Sequence, residues 1–294
     1  LIAAAVFQIG YMEEVGAMQR ITAFIKSLAP DNRAAQTMIV GNGAGTTLVS
    51  IGATPVAILP PIFKGLGYSD FLAVALPAVG FLGLDAYGML AICMVAVSDM
   101  TGLSIVELNK IVVLFLPVIS TAIAFVMLYL ADKWQGVKNG WAAALIAGLS
   151  GSLACMLIAY VPVLQGAILL SGVIGGIVVM LAELLYLKIC GYRLFDDSKL
   201  DDADKESMKK MSLAKALSPW ILMVIFLCAT NFIQPLYNLL ANQLACPVEV
   251  IPGSAIKTRP LWNAYTWAFV ATILSAVILK PTKSQMKGTL KKFT

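Results

Sequence analysis

The 42 residues from Trp141 to Ala182 contain no Asp, Glu, Lys or Arg. No other feature of the sequence limits the fold as strongly. About 20 apolar residues cross a hydrocarbon layer of about 30 Å as a helix, so this run is two crossings, with a turn near Pro162–Gln165. The run Ile111–Ala131 is also free of charge and is one more. Neither run alternates polar with apolar residues, which favours helices over a membrane β-barrel. Over the whole chain 13% of residues are charged and 60% hydrophobic, against roughly 25% and 45–50% in soluble domains. The reading is an all-α, multi-span integral membrane protein.

The same composition excludes several functions. The net charge of +5 comes from basic residues in short loops, so it does not indicate a nucleic-acid surface. The chain has no histidine, which removes His-dependent triads, His-ligated zinc and imidazole-bound haem. Five cysteines stand singly, without a C-x-x-C pair, and no cofactor is expected. The acidic stretch Asp196, Asp197, Asp201, Asp202, Asp204 lacks the Gly and Glu of a calcium loop and reads as a solvated linker. The chain opens at Leu1 inside apolar sequence, and is read as a fragment.

Four regions are expected. Residues 1–188 form a transmembrane region: Leu1–Ile9 is the tail of a membrane helix, Tyr11–Leu28 an interfacial amphipathic helix, and a helix starts near Asn32 after the Pro30 stop. Residues 189–216 are a charged loop, 217–280 hold two further helices, and 281–294 are a basic tail. Lys and Arg crowd the 188–216 loop and the tail, and the 132–140 turn adds Lys133 and Lys138. All three segments are expected to face the cytoplasm, in a chain of several passes.

Three sets of residues carry candidate chemistry. The first lies in the stretch from 41 to 66, where Gly41, Gly43, Gly45 and Gly52 are mixed with Asn42, Thr46, Thr47, Ser50, Thr54 and Pro55. A broken helix frees backbone groups that cost several kcal/mol in hydrocarbon, so breaks survive where they line a polar cavity. Such a re-entrant hairpin suits a carboxylate. A kinked helix whose hydroxyls bond to their own turn is the alternative. The second is Asp85, alone between two charge-free stretches; a carboxyl within the bilayer favours its protonated form and suits proton coupling, whereas a turn at Gly83–Asp85 would leave it at the interface. The third is Asn231 and Gln234, which with Asn238 share one face of a helix over 217–242 and are possible cavity-lining residues. Glu183 is one turn from Lys188 and is expected to snorkel or pair locally. Gly172 and Gly176 have the spacing of ordinary close helix packing.

The stretch Gly52-Ala53-Thr54-Pro55-Val56-Ala57-Ile58, followed by Leu66-Gly67-Tyr68, resembles the lactate permease family, whose members carry a Gly-Thr-Pro-Val-Ala-Ile signature and a Leu-Gly-Phe/Tyr turn. Pro30-Asp31-Asn32-Arg33, Ser218-Pro219-Trp220 and Lys280-Pro281-Thr282-Lys283 are also similar to family features. The chain departs from the pattern at Thr46–Ile51 and at Ala53, which marks a divergent member with its terminal parts missing. The resemblance implies a secondary transporter for proton-coupled uptake of lactate, glycolate and related 2-hydroxy monocarboxylates, not an enzyme. It also implies two inverted repeats, one present here with part of the second. Thr54 and Pro55 carry over as residues of the first hairpin. The partners implied are a small carboxylate, a proton and the bilayer, with a homo-oligomer as an open possibility. The rival readings are a carrier for another organic anion and, from a different class, a membrane-embedded aspartyl protease.

Overall fold

The computed structural model describes residues 2–28, 31–196, 200–251 and 254–293. Pro30, Asp197 and Lys199, which entered the sequence reading, lie outside the described residues. The chain is helical apart from an antiparallel ribbon, Cys246–Ile251 with Ser254–Thr258, in the loop expected between the last two spans. Among the described residues, three helical stretches are long and apolar enough to cross a membrane: Asp70–Thr101, Leu116–Tyr160 and Pro162–Ile189.

The longest of these, Leu116–Tyr160, is 45 residues. At 1.5 Å per residue it would measure about 67 Å as one rod, twice a bilayer core. It is not one rod. Asp132 and Lys133 leave helical geometry, and Lys133 takes φ 48°. Gly148 then packs on Thr121 and Gly140 on Leu128, so the two halves run antiparallel. The expected turn is real and sits at the first residues of 132–140. The next turn begins where helix gives way to extended backbone at Val161, followed by a 3₁₀ turn to Leu170 and helix Ser171–Ile189.

One expected helix is corrected. The span 217–242 is two pieces, Ser218–Phe232 and Gln234–Gln243, which meet at 90°. Proline lacks an amide proton and its ring clashes with the carbonyl four residues back, so Pro235 cannot continue the helix past Asn231, and the chain leaves helical geometry at Ile233 (φ −87°, ψ 99°) before the second piece starts at Gln234. Asn231, Gln234 and Asn238 therefore do not share a helical face.

The basic segments gather at one end of the molecule. Lys26, on the amphipathic helix Ala17–Lys26, contacts Asp204 at 2.6 Å and Asp201 at 3.6 Å. Arg193 pairs with Asp31 at 2.7 Å. The tail is an ordered helix, Lys283–Phe293, and Lys292 lies 3.0 Å from both Glu13 and Glu14 at the end of helix Ile2–Glu14. The acidic linker thus has a structural use: Asp201 caps helix Asp202–Lys210, and the Asp204 amide and Lys26 hold its carboxyl below the usual carboxylate range.

Between these ends the helices touch through glycine. A Cβ on Gly176 would lie 2.7 Å from the Gly43 carbonyl oxygen and from the Thr47 amide nitrogen. Gly176→Leu is accordingly expected to separate Ser171–Ile189 from the helix beside it and abolish the folded peak in detergent gel filtration, whereas Gly191→Ala, in open space at φ 79°, loses no such contact. Removing Lys26 leaves the buried Asp204 carboxylate with no cation; Lys26→Ala is expected to cost about 3 kcal/mol, read as a lower midpoint of thermal unfolding.

Candidate functional site

Asn32 caps a helix by accepting from the Ala35 amide at 3.0 Å. The helix then runs without interruption from Arg33 to Ser50, widening into a π-turn over Met38–Ala44. Gly41, Gly43 and Gly45 are consequently not the break; at Gly41 and Gly43 the absent side chain lets neighbouring backbones come close. The break falls later. Gly52 turns left-handed (φ 87°), its amide donates to the Val49 carbonyl, and the Ala53 amide reaches back to Leu48. This pairing is a Schellman cap, and it is why glycine is needed at 52. Thr54 is extended, and Pro55–Ile58 and Pro60–Gly65 carry the chain back.

The return arm ends where the helix began. The Tyr68 hydroxyl lies 2.7 Å from Thr37 Oγ1 and 3.2 Å from the Arg33 carbonyl, and the Arg33 guanidinium stacks on its ring at 4.4 Å. Residues 33–68 therefore fold back on themselves, bringing Tyr68 to Arg33 and Thr37, with an arm of about 27 Å to the turn.

A second break meets the first. Helix Asp70–Gly80 starts at a Ser69 cap, and its end packs on Gly41 and Asn42, whose Nδ2 donates to the Gly80 carbonyl at 3.2 Å. A 3₁₀ stretch, Phe81–Tyr87, follows, and then Met89, Leu90 and Ala91 all take positive φ (49°, 60° and 57°). A left-handed conformation costs roughly 1–2 kcal/mol per non-glycine residue, and such strain collects where backbone geometry has a task. Ile51, Gly52, Met89 and Leu90 border one void, with Ala4, Tyr265 and Ala268 around it. Its volume is about 10 Å³, below what a single water needs. The junction is closed to any substrate in this conformation.

The predicted residues divide around that junction. Asn42, Thr46 and Ser50 are spaced by four, lie on one buried face of the helix, and are 3%, 1% and 0% exposed. Thr46 Oγ1 and Ser50 Oγ have no hydrogen-bond partner among the described residues. Ser50 abuts Gly172, which makes the Gly172–Gly176 seam the wall of the candidate site. Thr47 instead bonds to its own turn, at Gly43 O, 2.9 Å. Pro55 is buried and Thr54 exposed. Asp85 is exposed as well, on the 3₁₀ stretch rather than in the core.

Asn231 and Gln234 are at the other end of the molecule. With Gln165, Tyr237 and Trp262 they line a cavity of about 240 Å³. An adjoining cavity of about 530 Å³ holds Arg259, which pairs with Asp99 at 2.8 Å. Sequence reasoning missed two features. Arg259 lies in the loop between the last two spans, where no motif sets it apart. Glu183 was assigned to Lys188, yet it is 0% exposed and neither carboxylate oxygen has a partner. Its apolar flanks were the available signal. Among the described residues no His, Cys, Asp and Glu cluster could hold a metal ion.

An L-lactate permease of Salmonella typhimurium is 32% identical over 157 residues, 52% of this chain and 28% of its own. The glycolate permease GlcA of Escherichia coli K12 is 31% identical over 151 residues, 50% of this chain and 27% of its own. An L-lactate permease of Streptococcus iniae aligns with the whole chain at 25% identity and is covered over 62% of its length. The matched region thus spans between about a quarter and two thirds of these relatives. No solved structure matches. The L-lactate permease family matches residues 1–291, and the chain is an integral membrane protein belonging to that family.

Proposed function

We propose that the complete protein is a secondary transporter that takes up lactate, glycolate and similar 2-hydroxy monocarboxylates with protons. It sits in the plasma membrane, and the end carrying the 132–140 turn, the 189–216 loop and the 281–294 tail faces the cytoplasm. The observation that carries this reading is the meeting of two broken backbones beside buried hydroxyls with no partner. A buried unpaired hydroxyl costs about 1–3 kcal/mol, which a bound carboxylate accepting from it would remove. Thr46 and Ser50 are the donors, Asn42 orients the helix against Gly80, and Thr54–Pro55 forms the movable tip. The substrate enters when the Gly172–Gly176 wall shifts away from Ser50, since the closed void has no room for it.

Asp85 is the proton-carrying residue in this scheme. Its depth supports the role: Gly80 lies beside Gly41, and Gly83 accepts from Ser120 Oγ at 2.8 Å, 12 residues before the turn at Asp132. That places Asp85 roughly 20 Å from the basic end, within the span of a bilayer. The Escherichia coli relative named for glycolate favours breadth among small 2-hydroxy acids over a site for lactate alone. Competition of labelled L-lactate uptake by glycolate and by dicarboxylates tests the substrate class; inhibition by dicarboxylates alone would point to a different organic-anion carrier.

Two substitutions test the residues. Ser50→Ala deletes an unpaired hydroxyl, so folding stability should hold or rise slightly, while lactate affinity falls by about 10- to 100-fold. Unchanged affinity removes Ser50 from the site. Asp85→Asn should abolish proton-driven uptake in proteoliposomes and leave lactate–lactate exchange running; intact proton-driven uptake would remove Asp85 from coupling.

A further inference from the structure

Glu183 has no role in the scheme above, and nothing around it explains its burial. It lies on helix Ser171–Ile189, six residues or about 9 Å inside the helix end at Ile189. Its relative exposure is 0% and no ion pair reaches it among the described residues; the backbone of Ala147 on the long hairpin is the one donor directed at it, and it falls short of hydrogen-bond geometry. Lys188, the expected partner, is exposed on another face.

The elements packed on this helix offer no cation either. The helix 33–50 carries no charge after Arg33, whose guanidinium lies on Tyr68. The Leu116–Tyr160 hairpin has charges only at Asp132, Lys133 and Lys138, at its turn. The 3₁₀ stretch 162–170 has none. The segment Phe81–Thr101 contributes Asp85 and Asp99, both acidic, and Asp99 is held by Arg259 at the far end. Of the other titratable groups on these elements, Tyr186 adjoins Glu183 and Lys188 is exposed on another face; Tyr87 and Cys93 lie on 81–101 and Tyr129, Cys155 and Tyr160 on the hairpin, and none is a cation paired with Glu183.

An ionised carboxylate with neither donor nor cation is among the costliest groups to bury, whereas the neutral acid is tolerated. The nearest water is close. Met180, one turn before Glu183, touches Gly43, so Glu183 stands level with residues 36–40 of the hairpin helix. Thr37, on that stretch, lines a cavity of about 260 Å³ at the basic end, together with Asp31, Arg33, Asp132, Asn139 and Tyr192.

Resting on the proton-coupled reading above, we propose that Glu183 is a second proton-binding residue, exchanging its proton with the basic-end cavity through a shift of helix Ser171–Ile189. The same helix forms the Gly172–Gly176 wall at Ser50, so loading or emptying Glu183 acts on the element that must move to open the substrate site. The step is a proton transfer alone: water in the cavity gives or takes H⁺ at a carboxylate oxygen, and no other bond changes.

The test uses the complete permease in proteoliposomes, with L-lactate as the probe and an internal pH indicator. Glu183→Gln keeps the shape of the neutral acid. It should retain lactate–lactate exchange, lose proton-linked uptake by more than about tenfold, and flatten the pH profile of what remains. A purely structural Glu183 would leave the pH profile and proton-linked uptake as in the wild type, and that outcome overturns the proposal. Infrared difference spectroscopy across pH gives an independent reading in the unmodified protein. A protonated-carboxyl band is expected that shifts in Glu183→Asp and persists in Asp85→Asn; its absence overturns the proposal even if Glu183→Gln fails to fold. A wild-type protein that moves lactate without protons would instead defeat the coupled-transport reading, while the infrared band still decides Glu183.

Discussion

The contact between helix Ser171–Ile189 and the helix 33–50 organises the rest of the structure. Gly176 lies against Gly43 and Thr47, and Gly172 against Ser50, so the two backbones approach to a distance that side chains normally forbid. In a bilayer, helices gain little from hiding apolar surface, and close packing supplies the attraction instead. The same helix packs on the Leu116–Tyr160 hairpin through Gly151 and Gly175. One glycine-bearing helix therefore fixes the position of the hairpin helix, the long hairpin and, through Tyr87 and Leu84, the second backbone break.

That dependence gives the candidate site its character. Ser50, Thr46 and the Gly52 turn are held shut by a wall made of glycine, which offers contact area and few interlocking side chains. A wall of this kind can slide with little repacking. Under the mechanism proposed above, opening the site and moving the helix that carries Glu183 are one event. The two ends of the molecule differ in the same sense. The basic end is knit together by Lys26–Asp204, Arg193–Asp31 and Lys292 with Glu13 and Glu14, while the far end has open cavities around Asn231, Gln234 and Arg259.

Much of this was legible in the residues. The charge-free runs located the long hairpin and the Pro162 turn, Asn32 marked a helix start, and the Thr-Pro pair marked the return of the first hairpin. These features depend on contacts within a few residues, so local chemistry suffices. The glycine cluster misled, because glycine serves both to break a helix and to let another backbone approach. Only the neighbour decides which, and at Gly41 and Gly43 the neighbours are Gly80, Met127, Gly176 and Met180. Asn231, Gln234 and Asn238 failed for a nearer reason: Pro235 ends the periodicity on which their common face was built.

Sequence by itself determined that the chain lives in a bilayer, where its helices begin and turn, and which short loops gather the charge, because hydrophobic runs, caps and prolines act locally. Tertiary structure alone decided that Met89, Leu90 and Ala91 turn left-handed, that Ser50 faces glycine, and that Glu183 is sealed from its lysine. Met, Leu and Ala are ordinary helix formers, and an acid one turn from a lysine ordinarily finds it. In each case the outcome follows from which helix lies alongside, and that depends on residues a hundred or more positions away.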